Sequence, residues 1–326
     1  MTSNYLAWEI SERDFPRSAG IEEQIRFLVG YGFLAPSVHN TQPWEFSIEK
    51  HSLRLFLNPK LALPASDPTG RGGWTSLGAV TKNIEIAAAY FGLDTEITLV
   101  TTAVVISFQL GKPMNDGLFW AIKQRYSNKL GYSNKPISKE QLATLQQLSP
   151  GATTIISAAA IIAEIAGIHV DAAKKIARSP RFGRELARWM RPNNTSLSDG
   201  MPGFVIGLKP IIARIIPAVI RMAPWILRIR GNKDRSLILS SPAIGVISSP
   251  SDSQADWFAA GRAFELIALQ ATKDGLVITI MAAMVEYPPA TKRLAETIKI
   301  TPRVPQVFFR TGYAYNEVYH TPRRVI

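Results

Sequence analysis

Ala35-Pro36-Ser37-Val38-His39-Asn40-Thr41-Gln42-Pro43-Trp44 is the stretch from which the rest of the chain can be read. Two prolines and a run of small polar side chains exclude a helix interior or a central strand. Before it, residues 21–33 carry apolar side chains at helical spacing (Ile25, Phe27, Leu28, Phe33) and end near glycines 30 and 32. After it, residues 45–49 and 53–57 alternate as two short strands, close enough across residues 50–52 to form a hairpin. The stretch is therefore a loop at a helix-to-strand corner. Pro36 and Pro43 fix its backbone at both ends, and Ser37, Asn40 and Gln42 offer donors and acceptors between them. Two readings follow: a plain polar connection, or a rigid loop suited to a ligand with a heteroatom-rich edge.

Further on, the turn-rich Asp67-Pro68-Thr69-Gly70-Arg71-Gly72-Gly73 leads into a predicted helix over 74–91. Its small face (Gly78, Ala79, Ala87, Ala88, Ala89) predicts close packing on another element, and Gly92 serves as its C-cap. Strands follow over 97–100 and 104–110. The order helix, two strands, helix, two strands is α+β rather than alternating βαβ. From Asn115 the order restarts, with helices over 117–126 and 138–148 (the latter opening on a Ser-x-x-Gln capping box), a strand over 153–157, and helices over 158–177 and 180–190. Beyond an unusual segment come a strand at 243–248, a helix at 256–274 capped by Gly275, a buried strand at 276–281, a helix at 290–298 and a strand at 306–311. No Ser/Gly-rich linker separates independent units, and no residue-level repeat is visible. The expected organisation is two halves, 1–115 and 116–326, with an insert at about 179–239. Residues 1–20 are expected to be an arm packed on another part of the molecule.

A chain of 326 residues, 46% hydrophobic and 19% charged, can bury a large core. It has no cysteine, which excludes a disulfide scaffold, a cysteine nucleophile and thiolate metal sites and is compatible with the cytoplasm. The first residues have no basic head followed by an apolar run, so no signal peptide is expected. The net charge of +12 favours anionic partners: phosphate-bearing cofactors, acidic lipid or nucleic acid. Nucleic acid is the weakest of these, because no zinc finger, RNP motif or aromatic-interleaved basic block is present. His51, His169 and His320 stand apart from one another, and no metal spacing, Gly-x-Ser-x-Gly elbow, dinucleotide fingerprint or P-loop occurs.

Arg125-x-Ser127-x-Lys129 puts a guanidinium, a hydroxyl and an ammonium within five residues at a helix end, where they can converge on a phosphate. A solvated helix end explains the pattern equally well, and the basic Pro322-Arg323-Arg324 ending could be a solvated tail. Within residues 202–235, Arg214, Arg221 and Arg228 recur at heptad spacing, as do Pro217 and Pro224, among isoleucines, Val219, Met222, Trp225 and Leu227. Charges at that interval argue against a transmembrane span. Three readings stay open for the segment: a lid, a membrane-surface anchor, or a packed core helix pair.

APSVHNTQPW resembles the A-P-S-x-x-N-x-Q-P-W loop of the flavin-dependent nitroreductase family. The Arg125 motif and the Arg323–Arg324 ending resemble the basic segments that this family sets on the FMN phosphate and the pyrimidine side of the flavin. The family's motif is missing before Ile21 and stands instead at Arg125, and no second N-x-Q-P-W loop follows Lys129. The likeness covers about residues 21–112, 117–158 and 242–324. Together with the insert (Arg184-Glu185-Leu186, Trp189-Met190-Arg191) it is that of the internally duplicated, Acg-like branch. The resemblance implies an α+β nitroreductase-like fold with two mixed sheets, a fused pseudo-dimer in one chain, and one FMN site. Its implied cofactor-binding residues are Arg125, Ser127, Lys129, Pro36, Ser37, Val38, Asn40, Gln42, Arg323 and Arg324. Ala282 and Ala283 join them, standing where the family often has Pro-x-Glu-Gly and a backbone amide facing flavin N5. His39 could approach the flavin, and Lys129 is the candidate cation near N1 and O2. No side chain need act as acid or base, since flavin N5 carries the hydride. The implied activity passes hydride from NAD(P)H through FMN to a nitro-aromatic or quinone acceptor. The alternative is an FMN-sequestering protein with little turnover, favoured by the insert and the missing Glu-Gly. The expected partners are that small acceptor and no nucleic acid, with peripheral membrane contact possible through 202–235.

Overall fold

The computed structural model describes residues 3–315 and 319–326, and, of Ser3, Pro224 and residues 228–230, the backbone only. Residues 316–318 of the expected C-terminal segment, and the side chains of Pro224 and Arg228 in the heptad pattern, lie outside the described residues.

The first half-chain begins with α1 (Ile21–Gly32), the hairpin β1 (Trp44–Glu49) and β2 (Ser52–Leu57), α2 (Arg71–Phe91), and β3 (Leu93–Val100) with β4 (Ala103–Leu110). Its four strands pair throughout in antiparallel fashion in the order β1-β2-β4-β3. Alternation sets the two faces. Leu53, Leu55, Val104 and Ile106 are fully buried in one core with residues of α1 and α2, while Arg54 points to solvent.

The second part contains α3 (Leu118–Gln124), α4 (Lys139–Gln147), β5 (Thr153–Ile156) and α5 (Ala159–Ile176). The insert follows as α6 (Pro180–Trp189), the short pair β6 (Met190–Arg191) and β7 (Met201–Pro202), α7 (Pro210–Met222) and α8 (Arg230–Leu239). Then come β8 (Ala243–Ser249), α9 (Gln254–Lys273), β9 (Val277–Ile280), α10 (Ala283–Glu286), α11 (Pro288–Thr297) and β10 (Val304–Gly312). The second sheet runs β5-β8-β10-β9, again antiparallel between its strands. An isolated parallel bridge joins Ser127 to Ile278 at the β9 edge, but the strands of both four-stranded sheets pair in antiparallel fashion, where mixed sheets were expected. All seven residues of β8 are buried because helices cover both faces. Ile244, Val246 and Phe308 face α5, α10 and α11, whereas Ile247, Val307 and Phe309 face α9.

The expected α+β class and element order hold, with ends shifted by a few residues. The helix expected over 117–126 stops at Gln124, because Arg125 turns extended (φ −66°, ψ 131°). The Ser138 capping box is present in full. The expected N-terminal arm packs on the C-terminal tail: Trp8 stacks on His320 at 3.8 Å and donates from Nε1 to the Thr321 carbonyl at 2.9 Å. In the insert, Pro217 lies inside α7 without ending it, and the helix stops at Met222 just before Pro224.

The two sheets meet through α2 and α9, whose backbones touch. A Cβ on Gly261 would lie 2.0 Å from the Thr75 carbonyl oxygen, and one on Gly78 would lie 2.2 Å from that of Phe258. Backbone atoms cannot swing aside as a long side chain can, so only glycine fits at both points. Overpacking a core costs roughly 1–3 kcal/mol, occasionally more. Gly261→Ala should therefore be destabilised by about 3 kcal/mol or more in a thermal or denaturant melt. A Gly261→Ala protein that melts with the wild type would show that the helices separate without cost.

Candidate functional site

The loop at residues 35–44 is held in a conformation few side chains tolerate. His39, Asn40 and Gln42 all have positive φ (51°, 56° and 50°), the left-handed region that non-glycine residues enter only when surrounding contacts dictate it. Those contacts are visible. The Ser37 hydroxyl accepts from the Gln42 amide at 2.9 Å, and Asn40 Nδ2 donates to the carbonyls of Gly200 and Pro322, each at 3.0 Å. Asn40 Oδ1 accepts from Arg323 at 2.6 Å. Gln42 Nε2 donates to the Ser198 carbonyl at 2.7 Å, and its Oε1 accepts from the Arg324 amide at 2.9 Å. The loop thus binds the insert on one side and the C-terminal tail on the other.

From Arg125 the chain runs extended beside β9, with the Asn128 amide donating to the Ile278 carbonyl at 3.2 Å. Period-two alternation puts Arg125, Ser127 and Lys129 on one side, and all three line a small cavity of about 60 Å³. Asn40, Thr321 and Arg323 complete its polar wall. Arg125 and Arg323 are 2% and 3% exposed, and the carboxylate beside them, Glu265, is fully buried. Arg125 pairs with Glu265 at 3.0 Å and donates to the Leu34 carbonyl at 2.8 Å. Arg323 donates to the Leu34 and Ala35 carbonyls, each at 3.3 Å, and lies over the Trp8 ring at 5.1 Å. Burial, and then the positive charge of Arg125, push Arg323 down to about 9, which leaves it charged at neutral pH. Burial raises Glu265 against the opposing pull of both arginines. Two cations share one carboxylate, so the cluster carries an excess positive charge in a dry place. Such a charge is costly without an anion.

A second cavity, about 370 Å³, adjoins the first and shares Pro36, Ser37, His39, Ser127 and Lys129 with it. Val38, Ala282 and Ala283 also lie on its wall. Thus Pro36, Ser37, Val38, Ser127, Lys129, Ala282 and Ala283 come together on the larger cavity, and Arg125, Asn40 and Arg323 on the smaller. Gln42 and Arg324 line neither. Gln42 is used up between Ser198 and the tail, and Arg324 bonds the Gln42 carbonyl at 3.0 Å and pairs with Asp199 at 2.7 Å. Both tie the loop, the insert and the tail together. His39 bonds the Ser66 hydroxyl at 3.2 Å.

Sequence reasoning passed over several residues of the larger cavity. Arg310 is fully buried in β10. Its guanidinium donates to the carbonyls of Leu237 (3.0 Å) and Leu130 (3.3 Å) and lies 4.9 Å over the Tyr132 ring, and burial lowers its pKa. An arginine inside the apolar run Val307-Phe308-Phe309-Arg310 was the available signal. Several buried atoms of cavity-lining residues, Thr279 Oγ1, Gln306 Oε1 and Arg310 Nε among them, have no hydrogen-bond partner among the described residues, a shortfall native structures rarely leave unexplained.

The far end of the cavity is acidic. Asp67 accepts from the Gly72 and Gly73 amides (3.0 and 2.9 Å), and Glu185 accepts from the Ala65 and Ser66 amides (3.0 and 2.7 Å). Arg71 pairs with Asp252 at 2.8 Å. Glu286, at the end of α10, has no hydrogen-bond or ion-pair partner among the described residues. Burial, and then the charge of Asp67, push it up to about 8.

No family model matches the chain. A curated Mycobacterium tuberculosis protein named "Putative NAD(P)H nitroreductase acg" is 25% identical over 299 residues, covering 86% of this chain and 86% of that protein. A second NAD(P)H nitroreductase, so named on the same provisional footing and from the same organism, is 23% identical over 319 residues, with coverages of 93% and 89%. The chain is similar to these two proteins over most of its length. Among solved structures, the FMN-dependent nitroreductase NfnB of Mycobacterium smegmatis in complex with NADPH aligns at 12% identity and a TM-score of 0.39, over 60% of this chain and 86% of that one. A Bacteroides fragilis nitroreductase with bound FMN aligns at 12% identity and a TM-score of 0.39, over 65% and 95%.

The state of Glu286 is measurable. Its folded pKa lies above the ordinary carboxylate value, so the folded state holds its proton more tightly than the unfolded chain does. The resulting stabilisation is complete below the ordinary range and is lost as pH rises through about 8. Melting temperatures of wild type and Glu286→Gln should therefore diverge in favour of the glutamine variant as pH rises from about 5 to about 9. A difference that stays constant with pH would contradict a neutral Glu286.

Proposed function

We propose that this chain binds one FMN per chain and acts as an oxidoreductase with NAD(P)H as reductant and a small nitro-aromatic or quinone as acceptor. The observation that carries this reading is the pair of adjoining cavities, the smaller bounded by two buried arginines with one carboxylate between them. The residues present fit the cofactor. A cavity of about 370 Å³ is of ligand size, the excess positive charge of Arg125 and Arg323 suits a phosphate, and the unpartnered Thr279, Gln306 and Arg310 atoms suit the heteroatoms of a pyrimidine edge. When bound, the flavin would supply the hydride chemistry. The protein's part is to hold the phosphate at Arg125, Ser127 and Arg323, to keep Lys129 near the ring, and to run the Met281–Ala283 backbone along it. No protein side chain need transfer a proton to the cofactor.

The purified protein should show flavin absorbance. Ser127→Ala and Lys129→Met should weaken FMN binding by about tenfold to a hundredfold, the effect of losing one hydrogen bond to a charged group. Unchanged FMN titrations for Ser127→Ala would refute the phosphate assignment, and for Lys129→Met the placing of that cation near the ring. Arg125→Ala is a poorer probe, because it strands Glu265 without its partner and destabilises the fold as well. Steady-state oxidation of NAD(P)H with menadione or nitrofurazone separates turnover from storage. A rate near one per second, within the usual enzyme range, would exclude the FMN-sequestering alternative, which draws its support from the insert and from Ala282–Ala283 standing in place of a Glu-Gly pair.

The insert supports a roof over the ring. Leu227, Gly231 and Leu237 lie on the cavity wall, as do Phe182 and Leu186 of α6. α7, the most apolar helix of the insert, does not line this cavity. Deleting 202–235 would also open the small core of Leu186, Met190, Met201, Ile206, Ile220 and Leu227. A cross-link tests the roof more cleanly in a chain without cysteines. A Cβ at Gly231 would lie 3.7 Å from Val170 Cγ1, within reach of a disulfide. Oxidised Val170→Cys/Gly231→Cys protein should turn over menadione at least tenfold more slowly than the reduced form, because an opening step then limits access. Equal rates would rule out an opening of α8.

A further inference from the structure

The outer face of α7 has no role in the redox reading. Ala213 and Ile220 bury its inner side, and Gly203 lets the 3-10 turn close on Ala213 (a Cβ there would stand 2.3 Å from the Ala213 Cβ). Everything opposite is open. Ile211 is 75% exposed, Ile215 53%, Met222 87% and, in the following turn, Trp225 61%. At 3.6 residues per turn, Ile211, Ile215, Ala218 and Met222 form one stripe, with exposed Arg214 and Arg221 together on its flank. Clustering of large apolar side chains in one stripe differs from the scattered exposure normal on soluble surfaces. The exposed charges beside the stripe, Arg214 and Arg221, are both positive, and in sequence residues 200–233 contain no aspartate or glutamate.

We propose that this face docks the protein on an anionic lipid surface. Ile211, Ile215, Met222 and Trp225 enter the headgroup boundary, and Arg214 and Arg221 meet lipid phosphates. Apolar burial and attraction to anionic lipid are the two components of interfacial helix binding, and tryptophan favours that boundary. The helix is too short to cross a bilayer, so the contact is peripheral. Charge complementarity selects lipid over a second copy of the chain. A two-fold contact through the same stripe would bring Arg214 and Arg221 towards their own counterparts, with no acidic residue between 200 and 233 to offset them. A nucleic acid would meet aliphatic side chains where base stacking needs aromatic ones.

The test is co-sedimentation of the full chain with vesicles of phosphatidylcholine alone and of mixed phosphatidylcholine and phosphatidylglycerol. Binding should occur only to the mixed vesicles and weaken with salt. Ile215→Glu/Met222→Glu should abolish it, and Arg214→Gln/Arg221→Gln should weaken it roughly thirtyfold. All four side chains are exposed, so circular dichroism and flavin content should match wild type. No binding to the mixed vesicles at low salt, or binding unaltered in both variants, overturns the proposal. So does a concentration-dependent dimer that Ile215→Glu/Met222→Glu dissolves in the absence of vesicle binding, since the occupant of the face would then be a second copy.

Discussion

Two guanidinium groups and one carboxylate, all sealed from water, stand where the chain's separate parts converge. Arg125 comes from the segment that follows α3, Glu265 from the middle of α9, and Arg323 from the tail. Both arginines donate to Leu34, just after α1. Removing any one member leaves a buried charge with fewer partners, so α1, α9, the segment after α3 and the tail are mutually dependent. The two arginines of the cluster line the small cavity. In the proposed reading, the group that fixes the architecture is also the one whose surplus charge an anion offsets.

The close crossing of α2 and α9 fixes the scale of what surrounds that cluster. Backbone contact at Gly78 and Gly261 leaves no room for side chains between the helices there. The loop at 35–44 is then drawn against the tail and the insert, and Asn40 alone bonds both, through Gly200 of the insert and through Pro322 and Arg323 of the tail. Backbone strain at His39, Asn40 and Gln42 is tolerated because these bonds over-determine the conformation. The polar side chains that make the stretch conspicuous in sequence serve mainly to hold it in shape.

Legibility in the sequence followed from how local each signal is. Helices and strands showed through periodicity, and the Ser138 and Gly92 caps through one or two residues. The loop's location at a helix-to-strand corner was readable for the same reason. The direction of its side chains was not, because Asn40 and Gln42 find partners more than a hundred residues away. Arg125 was legible as a cation but not as half of an ion pair with Glu265, which sits unmarked in a helix pattern. Glu286 carried no signal at all. Its character comes from Asp67, brought beside it by the fold, and from burial. The insert's heptad arginines were visible, but which face turned outward depended on the small core formed by α6, α7 and the β6–β7 pair.

The larger cavity is electrically uneven, and this bears on what can enter it. Lys129 and Arg310 line it, and so do Asp67 and Glu286 beside Arg71, with Glu185 close enough to act on Glu286 from behind the wall. Arg71 is already matched by Asp252. An anionic acceptor would therefore face acidic side chains there, and its charge would be repelled at short range in a poorly hydrated space. A neutral acceptor meets no such penalty, and Glu286, neutral at pH 7, can donate a hydrogen bond to an acceptor oxygen where an ionised glutamate could only repel it. In the proposed oxidoreductase this favours neutral quinones and nitro-aromatics over carboxylated ones. The preference comes from the same burial that lifts the Glu286 carboxyl out of its ordinary range.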